Sequence, residues 1–511
     1  MSGTVVGATG GSVAVVAEPA ARAWRPQSWV PRPLAALLVV VALMGASWAL
    51  VNPAWQAPDE DVHFSYVQTL AELGRLPGGA GASLSTAQVD AMQSMNTDPI
   101  VFFSFARPER SRVAYDAYQS RAVSDPLRDG GGPNTASSYP PAYYLLASLG
   151  YRLAGSSGVV THLYAARLFS VLFLLITTTA VWLLAGELFG RRRELQLLAA
   201  AAVGLWPMLD FMSAAVNPDS LMYATWSLAL WLGVRVLRRG LDVASGVGFG
   251  LVVGVALITK APSLALVPAS AFVVLFGLAR LLWQRRPGAA ALAALSVVLA
   301  FLAPVGAWHF TIAALDRPAY GQVTGVAAGA LNVREFLSYV WQFYLPRLPF
   351  QVPLYLDSRY VSPYPAFNVW VATSWAAFGW VTVFFPLWVY KVFLAITASV
   401  ALAAVTKGIV SLLHHRRSRQ LWTVGLPVAI FLGLAAGALV LGLHLAEYRV
   451  KGPTNQGRYL FPLAGIAGCA VAYAMMLVPR RARTVAIGVA LGGIVGYQML
   501  ALAFVAAHYY A

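Results

Sequence analysis

Acidic residues and cysteine are what this chain has least of. Twenty Asp and Glu stand against 36 Lys and Arg in 511 residues, and charged residues of both signs make up only 11%. Ordinary globular sequence is about 25% charged, so a water-soluble enzyme is excluded. The single cysteine, Cys469, lies in an apolar run and rules out an intramolecular disulfide. There is no P-loop, no dinucleotide-binding glycine pattern, no HExxH and no CxxC. That argues against ATP hydrolysis and against a structural zinc site.

What the chain has in quantity is apolar surface: 59% hydrophobic residues and a mean hydropathy of +0.66. Runs of bilayer length recur, so it reads as an all-α polytopic membrane protein. The net charge of +16 does not imply nucleic acid, because the bases fall in short clusters between apolar runs, as in cytoplasmic loops. Setting those clusters inside predicts about 11 transmembrane helices. They fall near 33–52, 162–186, 195–213, 219–237, 243–259, 262–282, 289–310, 386–406, 421–443, 458–478 and 484–506. Residues 1–32 read as a disordered cytoplasmic tail, and 33–511 as one transmembrane domain with external loops at 53–161 and 311–385. The expected location is the plasma (inner) membrane, with the N-terminus cytoplasmic.

Ten of the twenty acids fall between positions 53 and 138. This first loop is expected to be large and extracytoplasmic, with amphipathic juxtamembrane helices from Asp61 to Leu73 and from Ser85 to Met95. The apolar segment 139–153 is too short to span, and is expected on the outer face. The segment from Ala366 to Phe385 is expected in the interface or re-entering, where Trp and Tyr are favoured.

Five polar features then collect on the outer side. Asp59, Glu60 and His63 follow the first span directly, where carboxylates are costly to hold beside lipid. A carboxylate there, near an acceptor hydroxyl and short of water, is a candidate general base; a solvated loop end is the plainer alternative. Tyr139-Pro140-Pro141 sets an extended entry into a helix. Asn217, Pro218 and Asp219 match a capped helix start, and the same Asn217 and Asp219 can also line a substrate groove. Lys260, in Thr259-Lys260-Ala261-Pro262, is a base on the side that should lack bases. It can snorkel or hold a phosphate as a point charge. Arg458, in Gln456-Gly457-Arg458-Tyr459, can grip phosphate bidentately. Arg347, with Trp341 and Tyr344, lies in the second external loop. Arg167, early in an apolar span, needs a partner and is expected to steady the acidic loop.

With these residues in view the chain resembles the GT-C class of membrane glycosyltransferases, and within it an uncharacterised bacterial GT-C-like group. Pro58-Asp59-Glu60 with His63 and Gly74-Arg75-Leu76-Pro77 resembles the acidic first-loop motif. Tyr139-Pro140-Pro141 is similar to the paired-proline motif, with Tyr139 where related enzymes carry Lys or His. Thr259-Lys260-Ala261-Pro262 is similar to a Thr-Lys-Gly-Pro pattern, and Gln456 to Pro462 to a late Gly-Arg-Tyr pattern. The resemblance implies a sugar moved from a polyprenyl-phosphate-linked donor to an extracytoplasmic glycan, lipid or protein. In that scheme Asp59 is the base, oriented by Glu60 or His63. Lys260, Arg458, Tyr459, Arg347 and Tyr139 would surround the donor phosphate, and Asn217, Asp219, Trp341 and Tyr344 would line the groove. No cofactor is required by it, and a divalent ion (Mg2+ or Mn2+) on Asp59 and Glu60 is compatible with it. The alternatives are a transporter or flippase of a lipid-linked or anionic solute, and a non-catalytic assembly partner.

Overall fold

The structure, a computed structural model, describes residues 31–78, 83–95, 97, 113, 116–118, 129–190, 192–315, 331–353, 364–451 and 454–510. Most of the expected N-terminal tail lies outside the described residues, as does most of the charged stretch 98–128.

The chain is an all-α polytopic membrane protein. Nine helices among the described residues are long and apolar enough to cross a bilayer. They are α1 (Arg32–Val51), α5 (Val159–Phe189), α8 (Asp219–Arg239), α10 (Leu266–Trp283), α11 (Pro287–Ala314), α13 (Leu387–His415), α14 (Leu426–Val450), α15 (Ala464–Met475) and α16 (Arg480–Tyr510), with α10, α14 and α15 each extended by a preceding helical turn. A pair bent by 61°, α6 (Arg193–Gly204) and α7 (Pro207–Ser213), makes a tenth if it counts as one span. The expected span near 243–259 is a shorter apolar helix, α9 (Val243–Leu257). Length and composition therefore support nine or ten spans, and leave the sequence-based figure of eleven to turn on α9.

Helix α8 is the most enclosed, with 83% of its apolar window buried against 6% for α13, so α8 lies at the centre and α13 at the periphery. The seam between α9 and α11 is built from small residues. On α9, Gly246, Gly250 and Gly254 recur every fourth residue and face α11. A Cβ at Gly250 would stand 2.4 Å from the Val297 carbonyl oxygen, and one at Gly254 2.7 Å from that of Phe301. Lipid supplies no hydrophobic drive for helix pairing, so close backbone approach at small residues has to provide it.

One end of the bundle carries a polar cap. Helix α2 (Glu60–Leu73) ends at Gly74 in the left-handed region. Helix α3 (Thr86–Ser94) is capped by Ser85, whose hydroxyl accepts from Gln88 N at 3.0 Å. Helix α4 (Ala142–Arg152) packs on α2, Tyr66 stacking on Tyr144 at 3.8 Å. Strands β1 (Ser83–Ser85) and β2 (Asp129–Pro133) form a small antiparallel pair, Ser83 opposite Pro133. Helix α12 (Val333–Tyr344) seats Phe336, Tyr339 and Phe343 against Tyr448. The segment 364–385 is not a continuous span. It makes one wide helical turn (Phe367–Ala372), then folds inward to stack Phe378 on Trp48 of α1 at 5.0 Å.

Helix α9 leads straight to Lys260, and the Ile258 carbonyl accepts from Ala142 N at 3.3 Å. Gly250→Ile should therefore push α9 off α11, lowering the thermal unfolding midpoint in detergent. Gly248→Ile, where no atom lies closer than 3.8 Å, should be tolerated. Equal midpoints for the two variants would contradict the packing account.

Candidate active site

The loop from Asn52 to Asp59 is shaped by one buried arginine. Arg167 of α5 is fully buried. Its Nε donates to Glu60 Oε1 at 2.7 Å and its Nη2 to Glu60 Oε2. The remaining donors go to three carbonyls: Ala49 at 3.1 Å, Asn52 at 2.6 Å and Pro53 at 2.8 Å. Glu60 Oε1 also accepts from Val216 N at 3.0 Å, and Asn217 Nδ2 donates to the Pro58 carbonyl at 3.1 Å. The loop is thus tied to the end of α1, to α5 and to the start of α8. Glu60 is consequently fully buried. Asp59, beside it, is held at φ +61°, a conformation that Asp tolerates better than most residues.

That backbone turns the Asp59 side chain outward, where it stays 43% exposed. It meets Arg458, whose Nη2 donates to Asp59 Oδ2 at 2.8 Å. Behind them Lys260 Nζ donates to Asp219 Oδ1 at 2.5 Å, and Arg458 Nη1 lies 4.0 Å from Asp219 Oδ2. The four charges alternate in sign and sum to zero. Tyr459 floors the group, 5.1 Å from the Arg458 guanidinium and 5.6 Å from Lys260 Nζ. Arg458 Nε and Nη1 and Asp219 Oδ2 are buried with no hydrogen-bond partner. Buried groups in this state are costly, and donors so placed suit an incoming anion.

Local backbone explains each placement. Arg458 sits in a tight helical turn, Gly457–Leu463, and the Arg458 carbonyl accepts from Tyr223 OH at 3.1 Å. Gly457 N donates to Thr373 Oγ1 at 2.6 Å, and a Cβ at Gly457 would stand 2.4 Å from Ser374 N. Only glycine fits that approach. Asp219 opens α8, with Asn217 Oδ1 accepting its N–H at 3.0 Å. The sequence placed Asn217 at the cap, Pro218 first and Asp219 second; here Pro218 is the boundary residue, and the Asn217 side chain still serves the first turn.

Burial, and Lys260 after it, pushes the pKa of His63 down to about 3, so the ring is neutral at physiological pH. His63 Nδ1 shares a hydrogen bond with Tyr144 OH at 2.8 Å, and Tyr139 lies 5.7 Å from the ring, centroid to centroid. Burial raises the pKa of Asp59, but Arg458, with Lys260, outweighs it and holds the carboxyl below its ordinary 3.8. Burial pushes the pKa of Asp61 up to about 6.

The structure thus brings together Asp59, His63, Tyr139, Asp219, Lys260, Arg458 and Tyr459, with Glu60 and Asn217 as braces. It does not bring Trp341, Tyr344 and Arg347 to them. Tyr344 OH bonds His444 Nε2 at 3.0 Å and accepts from Trp370 Nε1 at 3.0 Å; Trp341 donates to the Pro346 carbonyl; Arg347 is exposed and reaches the Gln351 carbonyl at 3.4 Å. Sequence reasoning singled out Tyr344 but neither its partner His444 nor Tyr144. It also passed over Asp210, fully buried in α7, whose Oδ2 accepts from Gln498 Nε2 at 2.6 Å. An acid inside an apolar run was the available signal. Among the described residues no group of three or more His, Cys, Asp or Glu is arranged to hold a metal. The Asp59–Glu60 pair fits a divalent ion poorly, since Arg167 engages both Glu60 oxygens.

Residues 42–467 match the family model described as "Predicted membrane protein (DUF2142)". The chain belongs to this family. No curated protein matches it. Solved structures that align with this DUF2142 member include ArnT from Cupriavidus metallidurans bound to undecaprenyl phosphate, at 16% identity and TM-score 0.43, covering 94% of this chain and 64% of that one. An Archaeoglobus fulgidus oligosaccharyltransferase tethered with an acceptor peptide aligns at 12% identity and TM-score 0.47, covering 93% of this chain and 55% of that one. AglB from the same organism, in complex with an inhibitory peptide and a dolichol-phosphate, aligns at 12% and 0.45, covering 93% and 56%. The DUF2142 chain therefore spans between about half and two thirds of those chains. At such TM-scores the chemistry has to be read from the chain's own residues.

Two measurements probe the frame of the site. Arg167→Gln leaves Glu60 buried and unpaired, which should cost about 3–5 kcal/mol. The double variant Arg167→Leu, Glu60→Leu should recover part of that in thermal unfolding; a double variant no more stable than the single one would contradict the pairing. Asp61 has a folded pKa above its unfolded value, so its stabilising contribution is full below about 3.8 and lost as pH rises through about 6. Asp61→Asn should then raise the unfolding midpoint at pH 8 and leave it unchanged near pH 4. The reverse order would show that the Asp61 carboxylate is favourably paired.

Proposed function

We propose that this protein is a GT-C-like integral-membrane glycosyltransferase. It moves a sugar from a polyprenyl-phosphate-linked donor to a hydroxyl of an extracytoplasmic glycan, lipid or protein. The observation that carries the reading is the Asp59–Arg458 pair at 2.8 Å, formed by residues 399 apart in sequence and backed by Lys260–Asp219. A partly exposed carboxylate and two buried cations, one with unpartnered donors, suit a phosphate leaving group and a hydroxyl nucleophile.

The donor phosphate would enter on Arg458 and Lys260 and draw Arg458 off Asp59. Losing that counter-charge raises the basicity of Asp59 at the moment it is needed. The acceptor oxygen then attacks the anomeric carbon, the bond from that carbon to the phosphate oxygen breaks, and its electron pair stays on the phosphate. The acceptor proton passes to Asp59. Neutral His63, fixed by Tyr144, borders the group without adding charge. The scheme routes no step through a metal ion. The positive-inside pattern supports an extracytoplasmic Asp59, since the basic clusters lie at the opposite helix ends.

One observation favours the transporter alternative: the helix break between α6 and α7, with Asp210 buried beside it, is a feature of transporter cores. A single assay separates the two. Purified protein in vesicles is given lipid-phosphate sugars and acceptor, and both lipid-phosphate release and solute movement are followed. Release should be lowered by roughly 10²–10⁴-fold in Asp59→Asn, as expected for loss of a general base, and be nearly unchanged in Asp210→Asn. Wild-type release by Asp59→Asn would remove the base. Movement without release, abolished by Asp210→Asn, would establish the transporter.

A further inference from the structure

At the end of the bundle opposite Asp59, a cleft of about 450 Å³ opens between α5, α13, α14 and α15. Leu188, Ala404, Leu432, Cys469 and Tyr473 give it an almost wholly apolar wall, and Arg192 stands at its edge. Two guanidinium groups converge there on Met476. Arg192 Nη1 lies 4.0 Å from the Met476 sulfur, and Arg483 Nη2 donates to the Met476 carbonyl at 3.1 Å and the Val478 carbonyl at 3.0 Å. Arg192 is exposed, and Arg483 Nε is buried with no hydrogen-bond partner. The nearby acid Glu187 is already taken by Arg235 at 3.4 Å and Arg239 at 2.8 Å. Arg192, Arg193 and Arg483 outnumber the exposed Glu194 next to Arg193, so the mouth keeps a net positive field.

We infer that this cleft is a binding site for an anionic glycerophospholipid of the leaflet facing the basic clusters. One acyl chain enters the apolar cleft and the phosphate rests on Arg192 and Arg483. The volume lies toward the small end of ligand pockets, about 300–1,000 Å³, and suits a single chain with the second left in the bilayer. Charge complementarity selects the occupant: basic pockets between spans at this membrane face hold anionic headgroups, and a guanidinium matches a phosphate with paired donors. The inference does not depend on the proposed transfer reaction, whose residues lie at the other end of the helices.

Native mass spectrometry of the full chain in detergent tests it, with dioleoyl phosphatidylglycerol and dioleoyl phosphatidylcholine as probes. The wild type should retain one phosphatidylglycerol with roughly tenfold or greater preference over phosphatidylcholine. Arg192→Gln with Arg483→Gln should erase that preference. Ala470→Trp, which fills the cleft and leaves the charges in place, should lose the retained lipid while the unfolding midpoint shows the protein still folded. Equal retention of the two lipids by the wild type would overturn the proposal, as would an undiminished preference in the double glutamine variant. Displacement of phosphatidylglycerol by equimolar undecaprenyl phosphate would assign the cleft to a polyprenyl lipid instead, and so overturn it as well.

Discussion

The site depends first on a buried ion pair. Arg167 and Glu60 are both removed from water, and the cost of that is met only because all the hydrogen bonds are made: two to the carboxylate, three to carbonyls at the end of α1 and in the loop beyond it, and one more from Val216 N to Glu60. Such a pair adds little net stability over an apolar filling, but it fixes geometry. Here it fixes where a transmembrane helix stops and how the next residues turn. Asp59 takes its left-handed backbone from that arrangement and presents its carboxylate to Arg458.

The second constraint is charge balance. Asp59, Arg458, Asp219 and Lys260 alternate in sign, so the group is neutral as a whole. Neutrality also makes the group responsive. An anion that takes Arg458 leaves Asp59 uncompensated, and binding is thereby coupled to basicity. Gly457 matters for the same reason: contact with Ser374 sets the depth of Arg458, and a side chain there would lift the guanidinium away from both carboxylates.

Much of this was legible along the chain and little of it across the chain. Hydropathy located the spans because transfer into lipid is a property of each segment. The turn and cap residues located α2, α3 and α4 for the same local reason. The outer-side motifs could be gathered on one face by the charge rule alone. Their pairing could not: that Arg458 meets Asp59 and Lys260 meets Asp219 is set by lateral helix packing, which one sequence does not encode in any visible period. Arg167 shows the boundary well. A lone arginine in an apolar run demanded a partner, and the acidic loop was the expected one, yet nothing singled out Glu60 over Asp59. Trp341, Tyr344 and Arg347 were grouped with the site because they share its side of the membrane. The structure seats Tyr344 against His444 and turns Trp341 and Arg347 to the Pro346 and Gln351 carbonyls, so a shared face is a weaker guide than a demanded partner.

In the proposed reaction a lipid-linked phosphate replaces Asp59 on Arg458. An experimental density map of the protein with a non-transferable polyprenyl-phosphate sugar analogue tests this most directly. Phosphate oxygens should lie within hydrogen-bond reach of Arg458 and Lys260, with the Asp59 carboxylate released toward the sugar and the Arg167–Glu60 pair unchanged. A phosphate bound elsewhere, with Asp59 still on Arg458, would contradict it.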